Sequence, residues 1–193
     1  MKKMKGKKIL DLGCGGGKDS VLFAKNGFEV VSLDFSEKAI NFCKENIIRN
    51  NVQRSIHIIL HDMTKPLKFD DRTFDTVYAH LSLHYFDDRT TTKIFNEIRR
   101  ILKVSGLLFV NVKSTDDPLY GKGKKLEKDV FELGHIRHFF SREYLINKLK
   151  GFEILYIKQT REKTDYAKKT ISKESVFWQL IGRKLDHSHI FKL

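Results

Sequence analysis

The chain has 193 residues, enough for one domain that buries a core of its own without disulfides or metals. Hydrophobic residues make up 40% and charged residues 32%, which excludes a disordered chain. The formal charge of +13 permits attraction to nucleic acid or another anion, yet the lysines are spread along the chain, where they serve equally to keep a surface soluble.

The first eight residues are lysine-rich, as a signal peptide's are, but Asp11 and the glycines interrupt the apolar run that a signal peptide needs. Residues 8–12 are a short apolar run ending at Gly13, read as the first strand. Residues 19–25 then read as a helix stopped by Asn26-Gly27. Residues 28–34, with β-branched Val30 and Val31, read as the second strand. Ser36 is a candidate N-cap for a helix to about residue 50, with Ala39, Ile40, Cys43 and Ile47 at helical spacing. Residues 56–60 and 74–79 are the third and fourth strands. Residues 91–104 are amphipathic, with Ile94, Phe95, Ile98, Ile101 and Leu102 on one face and Ser105-Gly106 as the stop. Residues 107–112 are the fifth strand, and 116–128, with Pro118, Gly121 and Gly123, read as a mobile loop. Ser141 caps a helix to Lys150, and 152–159 and 175–182 are the last strands, free to pair antiparallel around a long basic loop.

Strand and helix alternate through the first five strands, which predicts an α/β fold: a Rossmann-like, mostly parallel sheet with helices on both faces and a reversed last strand. No repeat and no linker divides the chain, so residues 1–193 read as one domain. No segment approaches the ~20 apolar residues of a membrane span. Cys14 and Cys43 are too few for a disulfide framework or a four-ligand zinc site, and a reducing, cytoplasmic compartment is expected.

The motif Asp11-Leu12-Gly13-Cys14-Gly15-Gly16-Gly17 lies between a strand and a helix. Glycines there let backbone turn sharply and approach a ligand, and open parallel sheets bind ligands beyond the carboxyl ends of their strands. A dinucleotide fingerprint, G-x-G-x-x-G, would need glycine where Lys18 stands. A carboxylate beside the loop suits a ligand bearing an ammonium group and is ill suited to a pyrophosphate. Asp11-x-Gly13-x-Gly15-x-Gly17 resembles motif I of the class I S-adenosylmethionine-dependent methyltransferases, and Ile9–Ile40 as a whole resembles the small-molecule and tellurite-resistance branch. The resemblance runs over residues 8–184, and the seven strands match that family's sheet.

The resemblance implies S-adenosylmethionine as cofactor, with Asp11 and Gly13 at its methionine end and Gly15 allowing close approach. It also implies Asp34 on the ribose hydroxyls, Phe35 on the adenine face, and Asp62 and Met63 on the adenine edge. The fourth strand leaves through Tyr78-Ala79-His80-Leu81-Ser82-Leu83-His84-Tyr85. Backbone near His80 is expected to help hold the methionine moiety, and His84 and Tyr85 are the catalytic candidates facing the acceptor. Histidine has the pKa for a general base, which is needed only if the acceptor holds a proton. His135, Arg137 and His138 are substrate-binding candidates, Arg137 as a clamp on an anion. A metal site from His84, His135 and His138 would require a spatial convergence that spacing does not supply, so no metal is expected. Relatives carry helices before the first strand, whereas here that strand begins within eight residues of Met1. The expected acceptor is a small molecule. A transfer or ribosomal RNA acceptor, motivated by charge and the basic stretch 158–173, a non-catalytic cofactor-binding module, and an NAD-dependent oxidoreductase are the alternatives.

Overall fold

The computed structural model describes residues 7–163 and 174–186. The chain runs β1 (Lys8–Leu12), α1 (Lys18–Lys25), β2 (Glu29–Asp34), α2 (Glu37–Arg49), β3 (Ile56–Leu60), β4 (Phe74–His80), α3 (Asp88–Ile101) and β5 (Leu102–Lys113). There follow β6 (Lys124–Glu127), β7 (Val130–Leu133), β8 (His135–His138), α4 (Arg142–Lys148), β9 (Phe152–Lys163) and β10 (Glu174–Lys184). Seven strands form one sheet in the order β3-β2-β1-β4-β5-β10-β9. β1 to β5 are mutually parallel, and β10 is antiparallel to both β5 and β9, as the α/β pattern predicts. The order reverses at β1, the switch point where such sheets bind ligands.

Alternation along the strands builds two cores. Leu10, Leu12, Val31 and Leu33 face one way and pack with Ile94, Phe95 and Ile98 of α3 and Leu145 of α4. Val30 and Ile56 face the other way, against Val21 and Ala24 of α1 and Cys43 and Ile47 of α2. Burying each large apolar side chain contributes about 1.5–3 kcal/mol, and both faces of the sheet are used. The caps behave as the residue types dictate: Ser36 Oγ accepts from the Ala39 N–H at 3.3 Å and Ser141 Oγ from the Tyr144 N–H at 3.1 Å.

Two stretches differ from the sequence reading. α3 begins earlier, because the Asp87 carboxylate accepts from the Thr90 N–H at 2.6 Å and caps it, and it ends at Ile101. Leu102 already pairs with Phe74, so 102–104 are strand, and instead of a stop the strand bulges around Ser105, whose φ is 61°. Residues 116–128 are not simply loop: β6 pairs with β7 and β7 with β8, making a separate three-stranded antiparallel sheet. Asp129, at φ 60°, makes the β6–β7 turn. This small sheet is tied to the carboxyl edge of the large one. His138 N–H donates to the His84 carbonyl at 3.0 Å and Phe140 N–H to the Lys113 carbonyl at 2.7 Å. The expected β9–β10 hairpin is present, while its basic loop, 164–173, lies outside the described residues. Among the described residues no helix is long and apolar enough to cross a membrane.

Candidate functional site

The site is built where β1, β2 and β4 end. The N–H groups of Gly13 and Cys14 both donate to the Leu33 carbonyl, at 2.8 and 3.0 Å, which folds the glycine loop against the end of β2. Gly13 has φ 80°, and a Cβ there would stand 2.4 Å from Ser82 Cβ, so only glycine fits. Gly15 also has positive φ, 53°, but nothing lies within 4 Å of the position a Cβ would take. The loop therefore presents bare backbone to open space at Gly15. Ser82 Oγ donates to the Leu12 carbonyl at 2.6 Å and joins the β4 exit to the same loop.

Asp34, nearly buried at the end of β2, uses both carboxylate oxygens: Oδ2 accepts from the Gly15 N–H and Oδ1 from the Ser36 N–H, each at 2.9 Å. Each oxygen retains a lone pair for a further donor. Phe35 is 73% exposed beside it. Asp62 accepts from the Thr64 N–H at 2.9 Å, a bond that holds its carboxyl below the ordinary range. Met63 is buried against Gly13, its Cε 3.2 Å from the notional Cβ.

Asp11 is 3% exposed and sits beneath the loop on the α1 side. Ser20 Oγ donates to it at 2.5 Å, and Ser32 Oγ donates to Ser20 Oγ at 2.7 Å. Burial pushes its pKa up to about 7; the Ser20 bond opposes this, and the charges of Asp19 and Asp34 add to it. Raised to about 7, the Asp11 carboxyl is only partly ionised near neutral pH, and an ammonium brought beside it would favour the carboxylate.

The acceptor-side candidates fall into two groups. Tyr85 is 43% exposed, with its ring centroid 4.5 Å from that of His84 and 5.3 Å from that of His135. Those three rings come together at the β4 exit. His84 itself is 2% exposed, and burial pushes its pKa down to about 3, helped by the positive charges of Lys113, His135, Arg137 and His138. Its Nδ1 has no hydrogen-bond partner. As it stands, His84 is neutral and sealed from solvent. Arg137 is turned onto its own hairpin, donating to the Leu133 carbonyl and, at 3.5 Å, to that of His135. His138 is buried away from the others: its Nδ1 is 3.0 Å from the Phe86 carbonyl, and its ring packs on Phe140 and Tyr144. Among the described residues no three histidine, cysteine or carboxylate groups are placed to hold a metal ion.

His80, the last residue of β4, reaches Asp19 of α1: its Nδ1 lies 3.5 Å from Asp19 Oδ2, and Tyr78 donates to the same oxygen at 3.3 Å. Sequence reading passes over Asp19, Ser82 and Asn111. Asp19, two residues past Gly17 in the first turn of a helix, carries a local signal; Ser82 becomes visible only through its bond to the Leu12 carbonyl, and Asn111 only through strand register.

A family model for a methyltransferase domain matches residues 9–106. The chain belongs to that family. Membership makes it a methyltransferase domain, with S-adenosylmethionine as cofactor. An uncharacterized methyltransferase of Synechocystis is 32% identical over 102 residues, covering 53% of this chain and 45% of the relative. Phosphoethanolamine N-methyltransferase 1 of Triticum aestivum is 32% identical over 106 residues, 54% of this chain and 21% of that enzyme. The domain thus spans less than half the length of these curated relatives. A solved S-adenosylmethionine-dependent methyltransferase from Methanosarcina mazei shares the fold with a TM-score of 0.81, at 22% identity and 94% coverage of each chain. TehB of Haemophilus influenzae superposes with a TM-score of 0.73 at 20% identity, over 95% of this chain and 59% of TehB.

The residues fit the cofactor. Asp34 keeps acceptor capacity at the loop, Gly15 leaves space above it, and Asp11 is a buried carboxylate lacking a cation.

Proposed function

We propose that this domain transfers a methyl group from S-adenosylmethionine to a small molecule bound at the exits of β4 and β5. The observation that carries the reading is the Asp34 carboxylate, which bridges the Gly15 and Ser36 N–H groups beside an unobstructed turn. In this reading Asp34 orients the ribose, Phe35 covers one adenine face, and Asp62 and Met63 meet its edge. Asp11 and Gly13 set the methionine end. The bound cofactor supplies a methyl group on a sulfonium, already a reactive donor. Positioning by the protein then provides most of the acceleration.

A small acceptor is favoured by the three-stranded sheet β6–β8. It is stitched by backbone hydrogen bonds to the β4 and β5 ends and walls one side of the exit. Tyr85 and His135 stand at that wall, with Arg137 on the same hairpin available to an acidic group if it releases its carbonyls. A thermal-shift measurement with S-adenosylhomocysteine, followed by methyl-transfer assays on small-molecule and RNA pools, tests the reading. Stabilisation by S-adenosylhomocysteine and label transfer into the small-molecule pool are expected. Stabilisation by NAD alone, or label entering only RNA, overturns it.

A further inference from the structure

A cavity of about 200 Å³ opens on the α1 side of the sheet, lined by Tyr78, His80, Phe109, Asn111, Tyr156 and Gln179 among others. Register explains why these side chains meet. Tyr78 pairs with Phe109, His80 with Asn111, and Asn111 with Gln179, so β4, β5 and β10 point them to one face. Three aromatic rings and two amides make a recess for a planar ring with hydrogen-bonding edges. Its volume is small for a ligand site and suits a ring system of modest size. Asn111 is 7% exposed, and its Oδ1 has no hydrogen-bond partner, an acceptor that a ligand N–H or O–H would satisfy.

His80 lines this cavity at its upper end, where β4 reaches the carboxyl edge beside the glycine loop. Its Nδ1 faces Asp19 across 3.5 Å. Asp19 stands at ion-pair distance from Nδ1, longer than a hydrogen bond, so a proton carried on Nδ1 faces the carboxylate and Nε2 is the nitrogen open to accept. The groups around the pair are Tyr78 on β4, which donates to the same Asp19 oxygen, Asn111 on β5 and Asp11 on β1. His84, by contrast, is closed off beneath Tyr85, and its Nδ1 has no hydrogen-bond partner.

We propose that the cavity holds an aromatic or heteroaromatic acceptor bearing an acidic O–H or N–H, and that His80, oriented by Asp19, is the base that takes its proton. This rests on the methyl-transfer reading above. As the acceptor oxygen or nitrogen forms its bond to the methyl carbon, its proton passes to His80 Nε2. The electron pair of the broken C–S bond returns to sulfur as a thioether. The positive charge lost from the sulfonium reappears on the imidazolium, next to Asp19.

The test uses 4-nitrophenol as a probe whose ionisation is seen in its visible absorbance, added to the full chain saturated with S-adenosylhomocysteine. The wild type should draw bound probe into its phenolate form at a pH where the free probe stays largely protonated. The methyl NMR signals of Ile181, which also lines the cavity, should shift on binding. His80→Gln should keep the Ile181 shift and lose the phenolate band, and Asp19→Asn should weaken the band. A band that survives in His80→Gln overturns the assignment of the base. Absence of any Ile181 shift in the wild type overturns the cavity. Should S-adenosylhomocysteine itself fail to bind, it is the methyl-transfer reading that falls; binding of S-adenosylhomocysteine with no effect of His80→Gln removes this inference alone.

Discussion

At the β1–β2 edge, the polar groups facing the glycine loop have partners built into the fold: Asp34 takes two backbone N–H groups and Asp11 takes a hydroxyl. At the β4–β5 edge, His84 Nδ1 and Asn111 Oδ1 are buried with none. A buried polar atom left unmatched costs about 1–3 kcal/mol; at the first edge the corresponding demand is for charge, the Asp11 carboxyl buried without a cation, and not for a hydrogen bond. One edge is organised before any ligand arrives; the other has polar atoms that a ligand could match. This is the division expected of an enzyme whose cofactor is shared by many relatives while its acceptor is particular.

Four measurements test that contrast. The largest concerns Asp11. Its folded pKa of about 7 stands above the ordinary 3.8, so the folded chain holds a proton that the unfolded chain releases. The stability from neutral Asp11 is therefore full below pH 3.8 and is lost as pH rises toward 7. Relative to Asp11→Asn, the wild type should lose about 4 kcal/mol between pH 4 and pH 8 in urea melts. A gap that does not change with pH would remove the buried-carboxylate account of this edge. Next, Gly13→Ala should destabilise by about 3 kcal/mol through contact with Ser82 and a positive φ, read as a lower denaturation midpoint. Asp34→Ala should weaken S-adenosylhomocysteine binding by about 1–3 kcal/mol in calorimetry, the effect of losing charge-assisted bonds. Unchanged affinity removes the ribose assignment. Smallest, Phe35→Ala should weaken the same ligand by about 1 kcal/mol and leave stability within about 0.5 kcal/mol, because the ring is exposed.

Much of the ordered edge was legible in the sequence because its signals are local. Asp11, Gly13, Gly15 and Asp34 fall within two strand ends and one turn, and Ser36 announces the next helix. The other edge depends on pairing between distant segments. Lys124–Glu127 is short, exposed and charged, so nothing in its composition marks it as a strand until Val130–Leu133 is set beside it. The α3 boundary was misplaced because Leu102 continues the helix's apolar spacing while its backbone already belongs to β5. His80 and Asn111 meet only through the β4–β5 register, and Asp19 joins them only because the first turn of α1 sets it beside Tyr78 and His80.

The Ser82 hydroxyl bonded to the Leu12 carbonyl ties the two edges at one atom pair. A ligand that displaced the β4 exit would have to stretch this bond or carry the glycine turn with it, and any coupling between the two compartments that followed would be equal in both directions.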